Sequence, residues 1–238
     1  MDEGTRVGIT LPSFRSDAAT ALEVARQAET AGLHGVFCFD HLWPIGGPER
    51  PSLSWVPLLG AVAALTEQIR LGPLVARIGL VPEAVLYRSL RGLQAICGER
   101  LLAGIGTGDS KSADEERRNG IAFLGPAERR RLLLALCGRL VGAGIETVVG
   151  AGHEETSRAA QALGAGVNFW AVAPEDMVPL REGGPISWAG PLGKDPGAAS
   201  ASIRSLSAAG AGWVIWAWPS SVSVVAKAAA SAGIALGG

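Results

Sequence analysis

The sequence predicts a single (β/α)8 TIM barrel over residues 1–238, in a compact version with trimmed insertions. Two observations carry this. Short β-like runs alternate with helical stretches from end to end, eight of each. The runs are apolar on both faces, as parallel strands are when helices cover the sheet. The length agrees, because 238 residues lie near what one α/β barrel uses, and no shift in composition marks a domain boundary. A doubly wound open sheet is the rival arrangement. Regular repetition without a long insertion favours the barrel.

The first strand is Val7-Gly8-Ile9-Thr10-Leu11, closed by Pro12. Ser16 caps a helix from Asp17 to Ala31, which aligns Leu22, Ala25 and Ala28 and stops at Gly32. Gly35 to Phe39 is the second strand, followed by the loop Leu42 to Pro48 and a helix near Val56 to Glu67. Arg70 to Leu74 is the third strand, with a helix from Glu83 to Ile96. Leu101 to Ile105 is the fourth, with its helix at Ala127 to Val141. Glu146 to Val149 is the fifth, with a helix from His153 to Leu163. Val167 to Trp170 is the sixth, and the helix after Pro174 is short and weak. Pro185 to Trp188 and Trp213 to Trp216 complete the strands, with helices at Ala198 to Ala209 and Val222 to Ala232.

Composition excludes several functions. A formal net charge of -1 gives no long-range attraction for a polyanion. Arg129-Arg130-Arg131 reads as the solvated side of a helix rather than a nucleic-acid patch. Met1-Asp2-Glu3-Gly4 lacks a signal-peptide profile, and no uncharged apolar stretch reaches the roughly 20 residues of a membrane span. Cys38, Cys97 and Cys137 are odd in number and far apart, which fits a reduced, cytoplasmic protein without a disulfide framework. With only His34, His41 and His153 available, a metal site is set aside.

Four strand-end segments carry the candidate chemistry. Asp40-His41 ends the second strand, placing a carboxylate beside an imidazole where barrel enzymes hold catalytic groups. The plain alternative is that Asp40 caps the loop and His41 makes one structural hydrogen bond. Trp43 stands two residues on, either stacking on a planar ligand or covering the rim. Leu71 to Ala76, taken alone, is an ordinary strand end. Gly104-Ile105-Gly106-Thr107-Gly108-Asp109 lets backbone approach a ligand; its third glycine is misplaced for a dinucleotide fingerprint, and a polar stretch from Ser110 to Asn119 follows instead of an immediate helix. Val149-Gly150-Ala151-Gly152-His153 runs from a strand straight into a helix, whose N-terminus favours an anion; the alternative is a tight turn that needs glycine for packing, with Glu154 and Glu155 supplying the negative charge. His34 lies on the opposite face and reads as structural. Trp188, Trp213, Trp216 and Trp218 read as packing, although Trp170 and Trp218 lie near strand ends and could line a pocket.

Together these segments resemble the bacterial luciferase-like family of flavin- and deazaflavin-dependent oxidoreductases. The likeness rests on Gly32 to Val36 leading into Asp40-His41, on Ile69 to Gly72, on Arg100 to Gly108, and on Val149 to Gly152 followed by Ala159 to Gly166. It covers residues 6 to 170; the last third matches only in rhythm. The resemblance implies a homodimeric barrel acting on a small-molecule substrate, using coenzyme F420 or, alternatively, FMN, with the ring over the strand ends. It implies that Gly106, Thr107, Gly108, Gly150, Ala151, Gly152 and His153 hold the phosphate and ribityl chain. It implies a bulged cis peptide at Leu74-Val75 beneath the ring and Trp43 as a ring-side wall. In the F420-dependent reading His41 is the general acid/base and Asp40 its orienting partner. An FMN-dependent monooxygenase and a non-catalytic flavin-binding barrel are the other readings. Pro73 stands where the family commonly has a small hydroxylated residue, and His153 where it has a small one.

Overall fold

A computed structural model describes residues 4–237 except 45, 49, 192 and 194. Met1 to Glu3, on which the signal-peptide reading falls, and Ile45 of the loop after the second strand lie outside the described residues. The chain runs β1 (Arg6–Thr10), α1 (Ala19–Thr30), β2 (Gly35–Cys38), α2 (Trp55–Leu65), β3 (Arg70–Pro73), β4 (Ala76–Arg77) and α3 (Glu83–Cys97). It continues with β5 (Ala103–Gly106), α4 (Ala113–Arg118), α5 (Pro126–Gly142), β6 (Thr147–Gly150), α6 (Glu154–Ala162) and β7 (Gly166–Trp170). The remainder is α7 (Pro174–Arg181), β8 (Ile186–Gly190), α8 (Pro196–Ala208), β9 (Ala211–Trp216) and α9 (Val222–Ser231).

All strand pairs are parallel, in the order β3-β2-β1-β9-β8-β7-β6-β5-β4. A bridge from Leu71 to Leu101 and the bond from Leu102 N–H to the Leu71 carbonyl (2.9 Å) bring the two edges together. The result is a nearly closed barrel sheathed by helices. It has nine strands where eight are expected because the third is split. β3 pairs with β2, the chain turns at Leu74–Val75, and β4 pairs with β5. The Leu74–Val75 peptide is cis, where the resemblance placed it. Gly72 is required there, since a Cβ would run into the Leu102 carbonyl.

Other differences are local. The fourth expected strand starts at Ala103, two residues late, because Leu101 is used in the bridge to Leu71. Asp17, not Ser16, accepts from the Ala19 amide near the start of α1, at 3.1 Å. The polar stretch after Gly108 is folded: Asp109 caps a 3₁₀ turn over Ser110–Ser112, which leads into α4.

Side-chain alternation separates two cores. Phe37, Leu74, Leu102, Val148, Ala189, Trp213 and Ile215 fill the barrel interior. The larger core lies between sheet and helices, with Val36, Leu71, Val149, Val167 and Val214 facing outward. The N-terminal end of the barrel is structural. There the guanidinium groups of Arg6 and Arg70 lie 5.7 and 5.9 Å from the Trp213 ring centre, and the Val7 amide donates to His34 Nδ1 at 3.0 Å. A cavity of about 520 Å³ lined by Arg6, Glu29, His34 and Arg70 opens at this end. Glu29 accepts there from the amides of Glu67, Gln68 and Ile69. Among the described residues no helix is long and apolar enough to cross a membrane.

Candidate active site

The C-terminal rim concentrates the charge that the barrel interior lacks. β2 delivers Asp40 and His41, and β4 delivers Arg77 across from them. The Arg77 amide donates to the Asp40 carboxylate at 2.8 Å, and Arg77 Nε donates to the Asp40 carbonyl at 2.6 Å. Loss of water pushes the Asp40 carboxyl above its ordinary range; the Arg77 amide and charge offset this only in part.

His41 does not hydrogen-bond to Asp40, which corrects the orienting role expected of that residue. Asp40 is already committed to the Arg77 backbone. The imidazole instead donates from Nδ1 to Glu115 Oε2 at 3.0 Å. Glu115 comes from α4, is only 3% exposed, and also accepts from the Leu42 amide and from Arg77 Nη2 at 2.9 Å. Burial pushes its pKa up. The bonds from His41 and Leu42 and the charge of Arg77 outweigh this, so the carboxyl is held below its ordinary range. The same carboxylate faces two further donors, Arg77 and the Leu42 amide, and so acts as acceptor; Nδ1 then supplies the hydrogen of this bond and Nε2 lies outside it. Ser52 Oγ anchors the same residue through the His41 carbonyl, at 2.5 Å.

The network extends beneath the glycine loop. Arg129, from the first turn of α5, donates to Glu116 at 2.6 Å and to the Thr107 carbonyl at 2.5 Å, and stacks on Phe123 with 3.8 Å to the ring centre. Arg77 Nη1 and Glu116 Oε1 approach to 3.8 Å without a hydrogen bond. Two arginines and two glutamates thus balance one another in a dry environment. Arg129 departs from expectation: it is buried, because it lies on the stripe of Leu133, Leu136, Cys137 and Leu140. Arg130 and Arg131 do face outward, pairing with Glu155 and Glu128.

The glycines divide into two uses. Gly106 makes room for Val75, whose side chain a Cβ would strike, so its need for glycine comes from packing. Gly108 has φ 67°, and a Cβ there would lie 2.9 Å from Arg129 Nη1. Thr107 Oγ1 donates to the Gly108 carbonyl at 3.1 Å. On the neighbouring strand end, the Ala151 amide bonds the Asn168 carbonyl at 2.8 Å, and the Gly152 amide bonds the Gly150 carbonyl at 2.9 Å. A Cβ at Gly152 would meet nothing within 4 Å, so the space before α6 is open. His153 occupies the cap position of α6 without capping it by its side chain, and Glu154 and Glu155 are engaged by Arg158 and Arg130. The opening amides of such a helix can accept an anion.

Aromatic rings floor the mouth. Phe14 stacks on Phe39 at 6.0 Å, Trp170 meets Phe39 edge-on at 5.5 Å, and Phe14 lies 6.3 Å from the His41 ring. Trp43 is half-buried in the loop beyond His41. The residues expected to form the site therefore lie on adjoining strand ends of one rim. Arg77, Glu115, Glu116 and Arg129, which sequence reasoning missed, tie those strand ends together.

Fold and rim define a parallel α/β barrel whose C-terminal end carries an imidazole held by a buried carboxylate. The family described as luciferase-like monooxygenase matches residues 5–162, more than half of the chain, and the chain belongs to that family. No curated protein matches it. Among solved structures, an F420-dependent secondary alcohol dehydrogenase in complex with an F420-acetone adduct superposes with a TM-score of 0.80 at 13% identity, over 96% of this chain and 99% of that one. The coenzyme F420-dependent tetrahydromethanopterin reductase from Methanopyrus kandleri gives 0.72 at 15%, over 94% and 97%. Monooxygenase RslO1 from Streptomyces bottropensis gives 0.72 at 16%, over 97% of each chain. At these identities the likeness is one of fold.

Proposed function

We propose that this protein is an F420-dependent oxidoreductase that moves a hydride between the deazaflavin ring and a small organic molecule. The observation that carries the reading is the His41–Glu115 pair at the rim. Hydride transfer to or from a carbonyl–alcohol pair needs a proton delivered or removed at oxygen. An imidazole held by a buried carboxylate, with Nε2 unengaged by that bond, is suited to that task. The coenzyme, when bound, supplies the two-electron chemistry that no side chain here offers. The F420-dependent enzymes among the similar folds support the choice of cofactor.

Each part of the rim has a role in this reading. Leu74 and Val75 form the platform under the ring, and Trp43 forms a wall beside it. The amides of Gly108 and His153 receive the phosphate, helped by the N-terminus of α6, and Gly152, whose own amide is held by the Gly150 carbonyl, leaves the approach open. Ala151 and Gly150 keep that strand end narrow, Gly106 admits Val75, and Thr107 holds the loop through its carbonyl on Arg129. Asp40 fixes Arg77, which in turn neutralises Glu115.

The test titrates the purified chain with F420 and with FMN, following cofactor fluorescence, and compares His41→Ala. F420 is expected to bind, and the variant to keep that affinity while losing about 10²-fold or more in turnover with a ketone such as cyclohexanone and reduced F420. Wild-type turnover in the variant would make His41 structural. Binding of FMN with exclusion of F420 would replace this reading by the monooxygenase one. Binding without turnover across a panel of ketones and alcohols would make the barrel a carrier.

A further inference from the structure

The sheet order places β7 directly across the barrel from β2, with three strands between them by either route once the split third strand is counted as one. Phe39, just past β2, and Trp170, the last residue of β7, nevertheless touch, with ring centres 5.5 Å apart and planes at 75°. They therefore form a bar across the mouth. One side of the bar holds the ends of β4, β5 and β6, with the glycine loops and the buried ion network. The other side holds the ends of β1, β9 and β8. Phe14 continues the aromatic surface there, stacked on Phe39 with the planes 9° apart, and leads back to His41. Half-buried Trp218 stands at the end of β9, its amide donating to Thr10 Oγ1 at 2.9 Å.

Two features set this surface apart. Trp170 is 49% exposed at the mouth of a barrel whose other β-strand tryptophans are buried. It is also held firmly: Ala171 takes φ 53°, its amide bonds the Ala189 carbonyl at 2.8 Å, and Trp188 Nε1 donates to the Val172 carbonyl at 2.9 Å. Furthermore, among the described residues the strand ends on this side, Leu11 to Phe14, Ala217 to Pro219, Gly190 to Pro191 and Trp170 to Pro174, are uncharged, and Asp195 is turned to capping α8. Arg15 is exposed, and Glu175 and Asp176 lie in the first turn of α7. An ionised substrate would lose water here without gaining a counter-ion.

We propose that Phe14, Phe39 and Trp170 form the substrate subsite, and that it takes an uncharged, planar molecule, an aromatic or cyclic unsaturated alcohol or carbonyl compound, with its oxygen toward His41. This rests on the oxidoreductase reading only for what becomes of the molecule once bound. Its binding surface is already in place, so little ordering is needed on association.

Binding is read without cofactor, by saturation-transfer NMR on the full chain with benzyl alcohol and with benzoate, which share a ring and differ in charge. Benzyl alcohol is expected to bind saturably, and benzoate at least tenfold more weakly. Trp170→Ala should weaken benzyl alcohol by about three- to tenfold, the size of one aromatic pair, and Trp170→Phe by less. Equal binding of the two probes, no binding of benzyl alcohol, or an unchanged affinity in Trp170→Ala would overturn the proposal. The cofactor titration separates the two readings. A chain that binds F420 and turns over through His41 but ignores benzyl alcohol refutes the subsite alone. A chain that binds benzyl alcohol through Trp170 but no F420 keeps the subsite and refutes the cofactor.

Discussion

Replacing Glu115 by Gln tests the link on which the acid/base assignment depends. The carboxylate is 3% exposed and accepts from His41 Nδ1 at 3.0 Å, from Arg77 Nη2 at 2.9 Å and from the Leu42 amide. Glutamine keeps the shape but turns one oxygen into a donor. With its nitrogen toward His41, the Nδ1 hydrogen has no acceptor; with it toward Arg77, two donors face a third. Removing one partner of a buried ion pair costs about 3–5 kcal/mol. Glu116 lies 3.8 Å from Arg77 and retains part of the neutralisation, which favours the lower figure. About 3 kcal/mol lowers Tm by about 6–12 °C in a chain of this size. The pH dependence has a definite sign. Because the folded-state carboxyl is held below its ordinary value of 4.5, its contribution is present above that pH and is lost as pH falls through the lowered value. The gap between wild type and variant, followed by circular-dichroism melts, should be full at pH 7 and narrow below about pH 4.5. Turnover should fall more than cofactor affinity, by about tenfold or more. Equal melting at pH 7, or a gap that widens with acid, would refute the network as described.

Two further substitutions probe the rim. Arg129→Met should cost about 3 kcal/mol and lower Tm by about 6–12 °C, whereas the exposed Arg131→Met should leave the melt unchanged; equal melts would mean that Arg129 is not the buried member of its triplet. Gly152→Asp should weaken F420 by about tenfold or more through repulsion at the α6 N-terminus without unfolding the chain, since a Cβ there meets nothing within 4 Å; unchanged affinity in a folded variant would place the phosphate elsewhere.

The barrel was legible because its signals are local and repeated: apolar runs, helix stops, glycine at turns. His41 was legible because it ends a strand. Its partner was not, because Glu115 lies 74 residues away. It sits in Asp114-Glu115-Glu116-Arg117-Arg118, a charge run that has the look of a solvated helix. Arg129 offered a usable signal. It falls four, seven, eight and eleven residues before Leu133, Leu136, Cys137 and Leu140, on their apolar stripe, whereas its neighbours do not. A charge on a buried stripe needs a buried counter-charge, and that requirement points back to the acidic pair. The split of the third strand had no such signal in composition or period; only the likeness to the family located it.

The physical reason for α4 follows from these pairings. It is six residues long, too short to be stable on its own propensity. Its order must come from what it binds. Consecutive helical residues point about 100° apart, so Glu115 and Glu116 reach different partners. Glu115 meets His41, Leu42 and Arg77, and Glu116 meets Arg129. One turn of helix thereby fixes the ends of β2 and β4 and, through Arg129 and the Thr107 carbonyl, the end of β5. Between β5 and α5, this short helix is therefore what orders the rim. The same bonds that orient His41 also hold the loop assigned to the phosphate. Loss of Glu116 or Arg129 should therefore be felt both in the fold and in cofactor affinity, whereas loss of His41 should be felt in turnover alone.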